Sequence, residues 1–353
     1  MLHVIQADYG DCFLLENREG EVSQFVLIDG GPRRTYANHL KYALEEIVPK
    51  TGRLDLVVLT HIDNDHLGGV IRMLQDGKIN PEDRAPTRQI SGIWHNTFRQ
   101  NICIDQATAP RVLELAEKAE WKGMLSHLPA EAVRGIRQGE QVSRLAEDLG
   151  IPVNAGFKEG LILHENAPAP WKMDTLKIWV IGPRRHHLQR LQREWLEWLE
   201  KKVPAPITRA AEKDSSIPNL SSIVLLAEAG GRRILLTGDG TSQDILEGLN
   251  ALEILDTAGK LHVDILKLPH HGSQRNVTKE FFERVSADQY VISGNGQNGN
   301  PEPGTLAWIV TCAKGQQRTI QILATNETNA TRELIQKYAP QDYGYTLRYL
   351  TVG

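Results

Sequence analysis

The residues best suited to chemistry lie in one short stretch, Thr60 to Gly69, which follows the apolar, strand-like run Leu54 to Leu59. Within six consecutive positions, this stretch carries four side chains that can bind metal ions: His61, Asp63, Asp65 and His66. Their mixture of imidazole nitrogens and carboxylate oxygens suits zinc or manganese. Because a buried strand holds its own backbone still, its end can deliver several ligands to one point. The stretch therefore predicts a metal site.

The same stretch also fits a simpler interpretation. It could be a polar turn after a buried strand, in which the carboxylates cap the helix that begins near Gly69. A cap needs one acidic residue, whereas this stretch has two and brackets them with histidines. We therefore favour the metal site.

Other strand-like runs of the chain also end in polar side chains that could reach a metal. These side chains are Asp29, His95, Asp239, His270 and His271. Taken alone, Asp29 in its Asp-Gly-Gly sequence is typical of a turn, and His95 after a tryptophan is typical of a hydrogen-bonded structural residue. Taken together, the residues indicate strands, separated by helices, that deliver polar groups to one rim of an α/β fold.

The elements that must position these residues form two halves around a different middle part. Short antiparallel strands open the chain, and the apolar spacing over Tyr36 to Val48 predicts a helix. Between about 104 and 218 the pattern changes to surface helices and frequent glycine turns, and the proline-containing segment 204–218 predicts an irregular connection. We predict one domain over 1–353, with halves at about 1–103 and 219–353 and a helical insertion at about 104–218.

The segment Arg184 to Glu200 predicts a helix with basic residues in its early turns. Its apolar positions are Leu188, Leu191, Trp195 and Leu199. One hypothesis is that the basic residues and tryptophans contact a phosphate-bearing ligand. The other is that the apolar face packs on the domain, and we favour it because the spacing is that of an amphipathic helix.

Composition narrows the class of protein. The 353 residues are 41% hydrophobic, and 40 basic against 44 acidic residues give a net charge of -4, which provides no global attraction to nucleic acid or membrane. The scattered Cys12, Cys103 and Cys312 suit a reducing compartment. No signal peptide is evident, and no apolar run approaches the roughly 20 residues of a membrane span. We expect a cytoplasmic protein without membrane contact.

Four motifs, in this order, resemble the metallo-β-lactamase superfamily. They are Ile28 to Gly31, Thr60 to Gly69, Leu235 to Asp239 and Pro269 to Ser273. The likeness is greatest to the branch that contains the ComEC-type competence proteins and the phosphorylcholine esterases, and it covers roughly residues 1–100 and 219–353. It implies an αββα sandwich with a two-metal site at its rim.

The resemblance also implies roles for individual residues. The implied metal ligands are His61 and Asp63 for one ion, Asp65 and His66 for the other, Asp239 as a bridge, and His270. Asp29 would anchor a ligand by a hydrogen bond. Asp65 and His271 would serve catalysis, with His271 donating a proton to the leaving group or steadying the substrate. The cofactors would be two divalent metal ions, with zinc favoured and manganese as the alternative.

One position departs from this pattern. The branch has a last histidine ligand in the loop where this chain has Gly299-Asn300-Pro301. An amide oxygen binds zinc less well than an imidazole does. A vacant position would weaken one metal, whereas an imidazole from His95 or His187 could fill it, and the sequence leaves both alternatives open.

Three functions fit these observations. The leading hypothesis is a metal-dependent hydrolase of phosphodiesters, with DNA or RNA as substrates. Its phosphate contacts would come from Lys267, Arg275, Arg184, Arg185, Arg190 and Arg193. The alternatives are hydrolysis of a small ester, thioester or lactone, and a catalytically weak module that binds a protein partner through the insertion.

Overall fold

The computed structural model describes residues 1–20, 22–79, 89–105, 107–118, 130–201 and 221–350. Strands are numbered in chain order from β1 to β13. Their bounds are Leu2–Val4, Phe13–Glu19, Val22–Ile28, Leu56–Val58, Ile93–Trp94, Trp171–Met173, Leu176–Gly182, Val224–Ala229, Arg232–Leu236, Leu261–Lys267, Val285–Ile292, Ile320–Ala324 and Tyr345–Tyr349. The segment 204–218, predicted as an irregular connection, lies outside the described residues.

The helices are numbered α1 to α11. Helix α1 is continuous over Arg33–Thr35, the π-helical turn Tyr36–Leu40 and Lys41–Ile47. The bounds of α2 to α11 are Asn64–Ile79, Phe98–Ile102, Ala109–Lys118, Ala130–Asp148, Arg185–Lys201, Ser242–Ala251, Lys279–Arg284, Pro303–Gly315, Asn329–Lys337 and Pro340–Tyr343. Short 3-10 turns occur at Lys158–Gly160, His164–Asn166 and Pro269–Gly272. Among the described residues, no helix combines the length and apolar character needed to cross a membrane.

The strands form two sheets. The first has the order β1-β2-β3-β4-β5, and the second has the order β13-β12-β11-β10-β9-β8-β7-β6. In the first sheet, β1, β2 and β3 pair antiparallel, as predicted for the start of the chain, and β4 and β5 add in parallel. In the second sheet, β9 to β13 are parallel neighbours and β6 to β9 are antiparallel.

The alternation of side chains along the strands produces four layers. In the first sheet, Leu14 and Leu27 face an apolar cluster with α1 and α2, whereas Phe13 and Ile28 face a cluster shared with strands of the second sheet. The outer face of the second sheet packs on α7 to α10. Two sheets face each other between two layers of helices, so the predicted αββα sandwich is the observed fold.

The second sheet begins earlier than the sequence analysis placed the second half. Strands β6 and β7 lie within the predicted insertion 104–218, yet β7 pairs with β8, and Ile178 and Val180 are buried between the sheets. The second sheet therefore includes strands that precede residue 219, and the alternation of a strand does not reveal which sheet it joins. The apolar face of helix α6 packs on the domain, as favoured in the sequence analysis, since Leu188, Leu191 and Trp195 are fully buried.

Candidate metal centre

Four ligand-type side chains follow β4 where it leaves the first sheet. His61 and Asp63 lie in the loop, and Asp65 and His66 lie in the first turn of α2. Helix α2 can approach this closely because Gly69 has no side chain: a Cβ there would lie 1.9 Å from the carbonyl oxygen of Gly30. The two glycines therefore let α2 pack directly on the loop that carries Asp29.

Asp239 lies at the centre of the site and faces two sets of ligand-type atoms. Its Oδ2 lies 3.8 Å from His61 Nε2 and 3.6 Å from His270 Nε2. Its Oδ1 lies 3.5 Å from His66 Nε2 and 3.8 Å from His271 Nε2. The two oxygens of one carboxylate thus face different imidazole pairs, which is the geometry that a bridging ligand requires.

The two aspartates of the loop complete these sets. Asp63 Oδ2 lies 3.5 Å from His61 Nε2, and Asp65 Oδ2 lies 3.7 Å from His271 Nε2. We call the first set group one and the second group two. Group one consists of His61, Asp63, Asp239 and His270, and group two consists of Asp65, His66, Asp239 and His271. Each group offers two nitrogen and two oxygen atoms, a donor set that suits zinc.

Buried atoms without partners mark the point where the groups meet. Four buried side-chain atoms here have no hydrogen-bond partner: His61 Nε2, His66 Nε2, His271 Nε2 and Asp239 Oδ1. Buried polar atoms are normally hydrogen-bonded, because leaving one unpaired costs about 1–3 kcal/mol. Four such atoms directed at one place indicate that a cation belongs there. The donor set fits divalent metal ions.

Asp29 holds His66 from the side opposite the centre. Its Oδ2 lies 2.8 Å from His66 Nδ1, and its carboxylate also accepts hydrogen bonds from the backbone N–H and the hydroxyl of Thr60 at 2.8 and 2.7 Å. A carboxylate at Nδ1 fixes the proton on that nitrogen, so Nε2 presents its lone pair to the centre. The structure thus places Asp29 in the anchoring position that the resemblance implies.

Asp11 is a functional residue that the sequence analysis missed. It is fully buried, and its Oδ1 lies 3.2 Å from His271 Nδ1 and accepts a short hydrogen bond from the Ser293 hydroxyl. It therefore orients His271 as Asp29 orients His66. The sequence offered little signal, because an aspartate after Tyr9-Gly10 is typical of a turn.

Lys267 lies beneath the centre, entirely enclosed by protein. Its ammonium group forms an ion pair with Asp11, donates to the Gly238 carbonyl at 2.8 Å, and lies 3.7 Å from Asp239 Oδ1. Burial alone would lower the pKa of Lys267, but these carboxylates raise it above its usual value. Lys267 is thus a buried countercharge, and the prediction that it contacts substrate phosphate was wrong.

The electrostatics of the centre favour cations. Burial opposes ionisation of Asp239, but the neighbouring imidazoles, His270 above all, hold its pKa well below its usual range. Burial likewise lowers the pKa of His271, whereas Asp11 and Asp239 together raise it to about 9. The carboxylates therefore favour a positive charge at the imidazoles, and a metal ion would take the place of a proton.

The adjacent His270 and His271 reach different groups because their backbone is unusual. Both have a positive φ, of 46° and 53° respectively, in the left-handed region that non-glycine residues seldom adopt. Such strain is often stored at functional sites. The sequence analysis expected His271 to donate a proton to the leaving group or to steady the substrate, and this role stays a prediction. Its Nδ1 contacts Asp11 and Ser293 and its Nε2 faces Asp65, a placement that also suits a metal ligand.

The remaining candidates lie elsewhere. His95 is buried, its Nε2 lies 3.2 Å from the Gly139 carbonyl oxygen, and burial lowers its pKa to about 4, as in a structural histidine. His187 lies beside Asp244 on α7, outside both groups. His271 supplies the second imidazole of group two, so this group does not depend on Asn300, His95 or His187 to complete it.

Comparison with known proteins relates the first part of the chain to a known family. Residues 5–82 match the family model described as the metallo-beta-lactamase superfamily, and this range includes Asp29 and the stretch Thr60 to Gly69. Residues 5–82 of the chain resemble the metallo-β-lactamase superfamily. The resemblance inferred from its motifs is therefore confirmed. The superfamily match and the ligand geometry together support a metal-dependent hydrolase, and neither identifies the substrate.

Two curated relatives match parts of this chain. Rat microtubule-associated protein 1A is 26% identical over 140 residues, which are 39% of the chain and 4% of that protein. ComE operon protein 3 of Bacillus subtilis (strain 168) is 29% identical over 116 residues, which are 32% of the chain and 13% of that protein. The chain thus matches only a small part of the length of these relatives.

Two solved structures are also similar. One is a putative metal-dependent hydrolase from Parabacteroides distasonis ATCC 8503, with 12% identity, a TM-score of 0.39, and coverage of 91% of this chain and 92% of that one. The other is Zn(2+)-bound PqqB from Methylobacterium extorquens, with 14% identity, a TM-score of 0.39, and coverage of 97% and 85%.

Proposed function

We propose that this protein is a metal-dependent hydrolase that binds two divalent cations and cleaves phosphodiesters. The proposal rests on four buried side-chain atoms that have no hydrogen-bond partner and face the same point. They belong to His61, His66, His271 and Asp239. A protein that placed these atoms together without a ligand would lose stability at each of them.

The two groups would each hold one cation. Group one would use His61, Asp63 and His270, group two would use Asp65, His66 and His271, and Asp239 would serve both. The mixed nitrogen and oxygen donors favour zinc, and manganese is the alternative. When bound, two such ions activate a water molecule and stabilise the charge that develops on the phosphoryl oxygens.

The chain's own residues orient the ligands and shield the centre from below. Asp29 and Asp11 hold the protons of His66 and His271 on Nδ1, which leaves both Nε2 atoms free to bind. Lys267 balances part of the negative charge that the carboxylates concentrate there. Since His271 is turned inward, a proton for the leaving group comes from solvent in this proposal.

A phosphodiester substrate is supported by the motifs, which resemble those of the branch with the phosphorylcholine esterases. Extended contact with a nucleic acid has weaker support. Among the basic residues proposed for phosphate contacts, Lys267, Arg184, Arg185 and Arg190 form ion pairs with carboxylates. We therefore place a small phosphodiester before DNA or RNA as the substrate.

The test is hydrolysis of bis(p-nitrophenyl) phosphate after metal removal and after addition of zinc or manganese. We expect activity only with metal, and its loss in Asp239→Asn. p-Nitrophenyl acetate tests the ester alternative, and short DNA and RNA strands at increasing salt test a nuclease, because binding to a polyanion weakens with salt. Hydrolysis of the acetate alone would overturn the phosphodiester assignment.

A catalytically weak binding module is the remaining alternative. It would bind metal without turnover of any of these substrates, and a protein partner would then contact the insertion. The compartment also belongs to the proposal: Cys12, Cys103 and Cys312 are unpaired thiols, which supports a reducing compartment such as the cytoplasm.

A further inference from the structure

A second cluster of ligand-type side chains lies outside the candidate metal centre, where the insertion meets the second half. His186 and His187 are in the first turn of α6, and Asp244 and Glu247 are on α7. The atoms of His186, His187 and Glu247 lie within 4.8 Å of one another. None of these residues belongs to group one or group two. We call these four residues the α6–α7 cluster.

The distances in the α6–α7 cluster are close to those of a metal site. Zinc binds imidazole nitrogen and carboxylate oxygen at about 2.0–2.2 Å, so neighbouring ligand atoms of a tetrahedral site lie about 3.3–3.6 Å apart. Glu247 Oε2 lies 3.4 Å from His186 Nε2 and 3.8 Å from His187 Nε2. Asp244 Oδ1 lies 3.1 Å from His187 Nε2. In the candidate metal centre, the corresponding distances quoted above are 3.5 to 3.8 Å.

Local sequence explains why the four side chains face each other. Thr241 caps α7 by accepting a hydrogen bond from Asp244 N, and a spacing of three residues puts Asp244 and Glu247 on one face of that helix. The rings of His186 and His187 lie close together, with their centroids 3.9 Å apart. Two neighbouring imidazoles thus meet two neighbouring carboxylates across a helix interface.

The charged groups around the α6–α7 cluster leave room for a cation. Arg184 competes for the carboxylate of Glu247, with its Nη1 at 3.6 Å from Glu247 Oε2, but its Nε also lies 3.8 Å from Glu165. Arg184 can therefore keep a carboxylate partner when a metal takes Glu247.

We infer that His186, His187, Asp244 and Glu247 form a binding site for a divalent transition-metal cation such as zinc, separate from the candidate metal centre. The role of this site is structural, because it joins the insertion helix α6 to α7 of the second half. His187 and Asp244 line the same small cleft as Ser222 and Gly240, which lie next to Asp239 and to His61. A metal here would fix the wall of the insertion beside the centre.

The experiment is zinc content per chain after dialysis against buffered zinc, measured by elemental analysis. We expect Glu247→Gln and His187→Gln each to lower the content by about one equivalent relative to the wild type. The side chain of Glu247 is 37% exposed, so this substitution should not prevent folding. The matched control is His262→Gln, since His262 is an exposed histidine that faces the single carboxylate of Asp288 at 3.5 Å. It should leave the content unchanged.

The same substitution, made in the Asp239→Asn variant, separates this inference from the proposed function. In Asp239→Asn, which perturbs only the candidate metal centre, adding Glu247→Gln should still remove about one equivalent. Zinc should raise the melting temperature of Asp239→Asn but not that of the double variant. If the candidate metal centre held no metal, Asp239→Asn would have the same zinc content as the wild type, whereas Glu247→Gln would still have less. Equal zinc content in wild type and Glu247→Gln, or equal melting shifts in the two Asp239→Asn backgrounds, would overturn the inference.

Discussion

Replacing Asp29 by asparagine should weaken metal binding without touching a ligand. Asp29 is fully buried, and its carboxylate accepts from Thr60 N and Thr60 Oγ1 and lies 2.8 Å from His66 Nδ1. Asparagine has nearly the same shape but only one acceptor oxygen. Thr60 N and His66 Nδ1 contact different oxygens of Asp29, so asparagine can no longer accept from both. If its amide NH₂ group faces His66, the proton of His66 moves to Nε2, the atom that faces the centre.

The size of the effect follows from these contacts. Losing a carboxylate that orients a ligating histidine typically weakens metal affinity by about 10–100-fold, which is about 1.4–2.7 kcal/mol. One hydrogen bond to a buried charge is also lost, so the free energy of unfolding should fall by about 1.5–3 kcal/mol. The assay is competition for zinc with a chromophoric chelator, on protein shown by circular dichroism to be folded.

Asp55→Asn is the matched control. Asp55 accepts a hydrogen bond from the backbone N–H of Phe25 at 2.9 Å. It lies in the same sheet but directly before β4, whereas Asp29 directly follows β3. The Asp55→Asn variant should lose stability without losing zinc affinity. If folded Asp29→Asn bound zinc as tightly as the wild type, the argument that Asp29 fixes His66 would be refuted.

Three further predictions concern the bridge, the pH dependence and the packing. Asp239→Asn should lose more than one metal equivalent by elemental analysis, whereas Asp63→Asn, which faces group one alone, should lose about one; full retention in Asp239→Asn would exclude the bridge. His95 has a pKa of about 4 when folded against 6.5 when unfolded, so the unfolded state takes up the proton first and stability falls as the pH drops from about 7 toward 4. At pH 4.5, His95→Gln should abolish about 2.5 kcal/mol of this fall in the free energy of unfolding. Urea unfolding at several pH values should then show a flatter pH profile for the variant, and parallel profiles for variant and wild type would contradict the prediction. Gly69→Ala should lower the free energy of unfolding, measured in urea, by about 3 kcal/mol or more, because its Cβ would lie 1.9 Å from the Gly30 carbonyl oxygen. Gly315→Ala is the control: a Cβ at Gly315 meets nothing within 4 Å, so this change should be neutral or stabilising.

The sequence by itself determined the fold class and the kinds of ligand. Apolar runs that end in Asp29, in the stretch Thr60 to Gly69 and in Asp239 are local features, and a strand can be recognised from a few neighbouring residues. Because these runs are buried, their ends had to lie at the rim of the sandwich. These runs therefore indicated an α/β fold with a metal site, and the resemblance of the motifs to the metallo-β-lactamase superfamily implied the αββα sandwich.

The tertiary structure decided which atoms meet. Asp11 and Ser293 hold His271 although they are 282 positions apart, and no local pattern links them. His271 has a left-handed backbone, and its ring faces Asp65 in group two, a placement that the sequence did not predict. Likewise, β7 joined the second sheet because its apolar face fits between the sheets. Side-chain direction and strand partners depend on packing between distant segments, so only the folded chain could settle them.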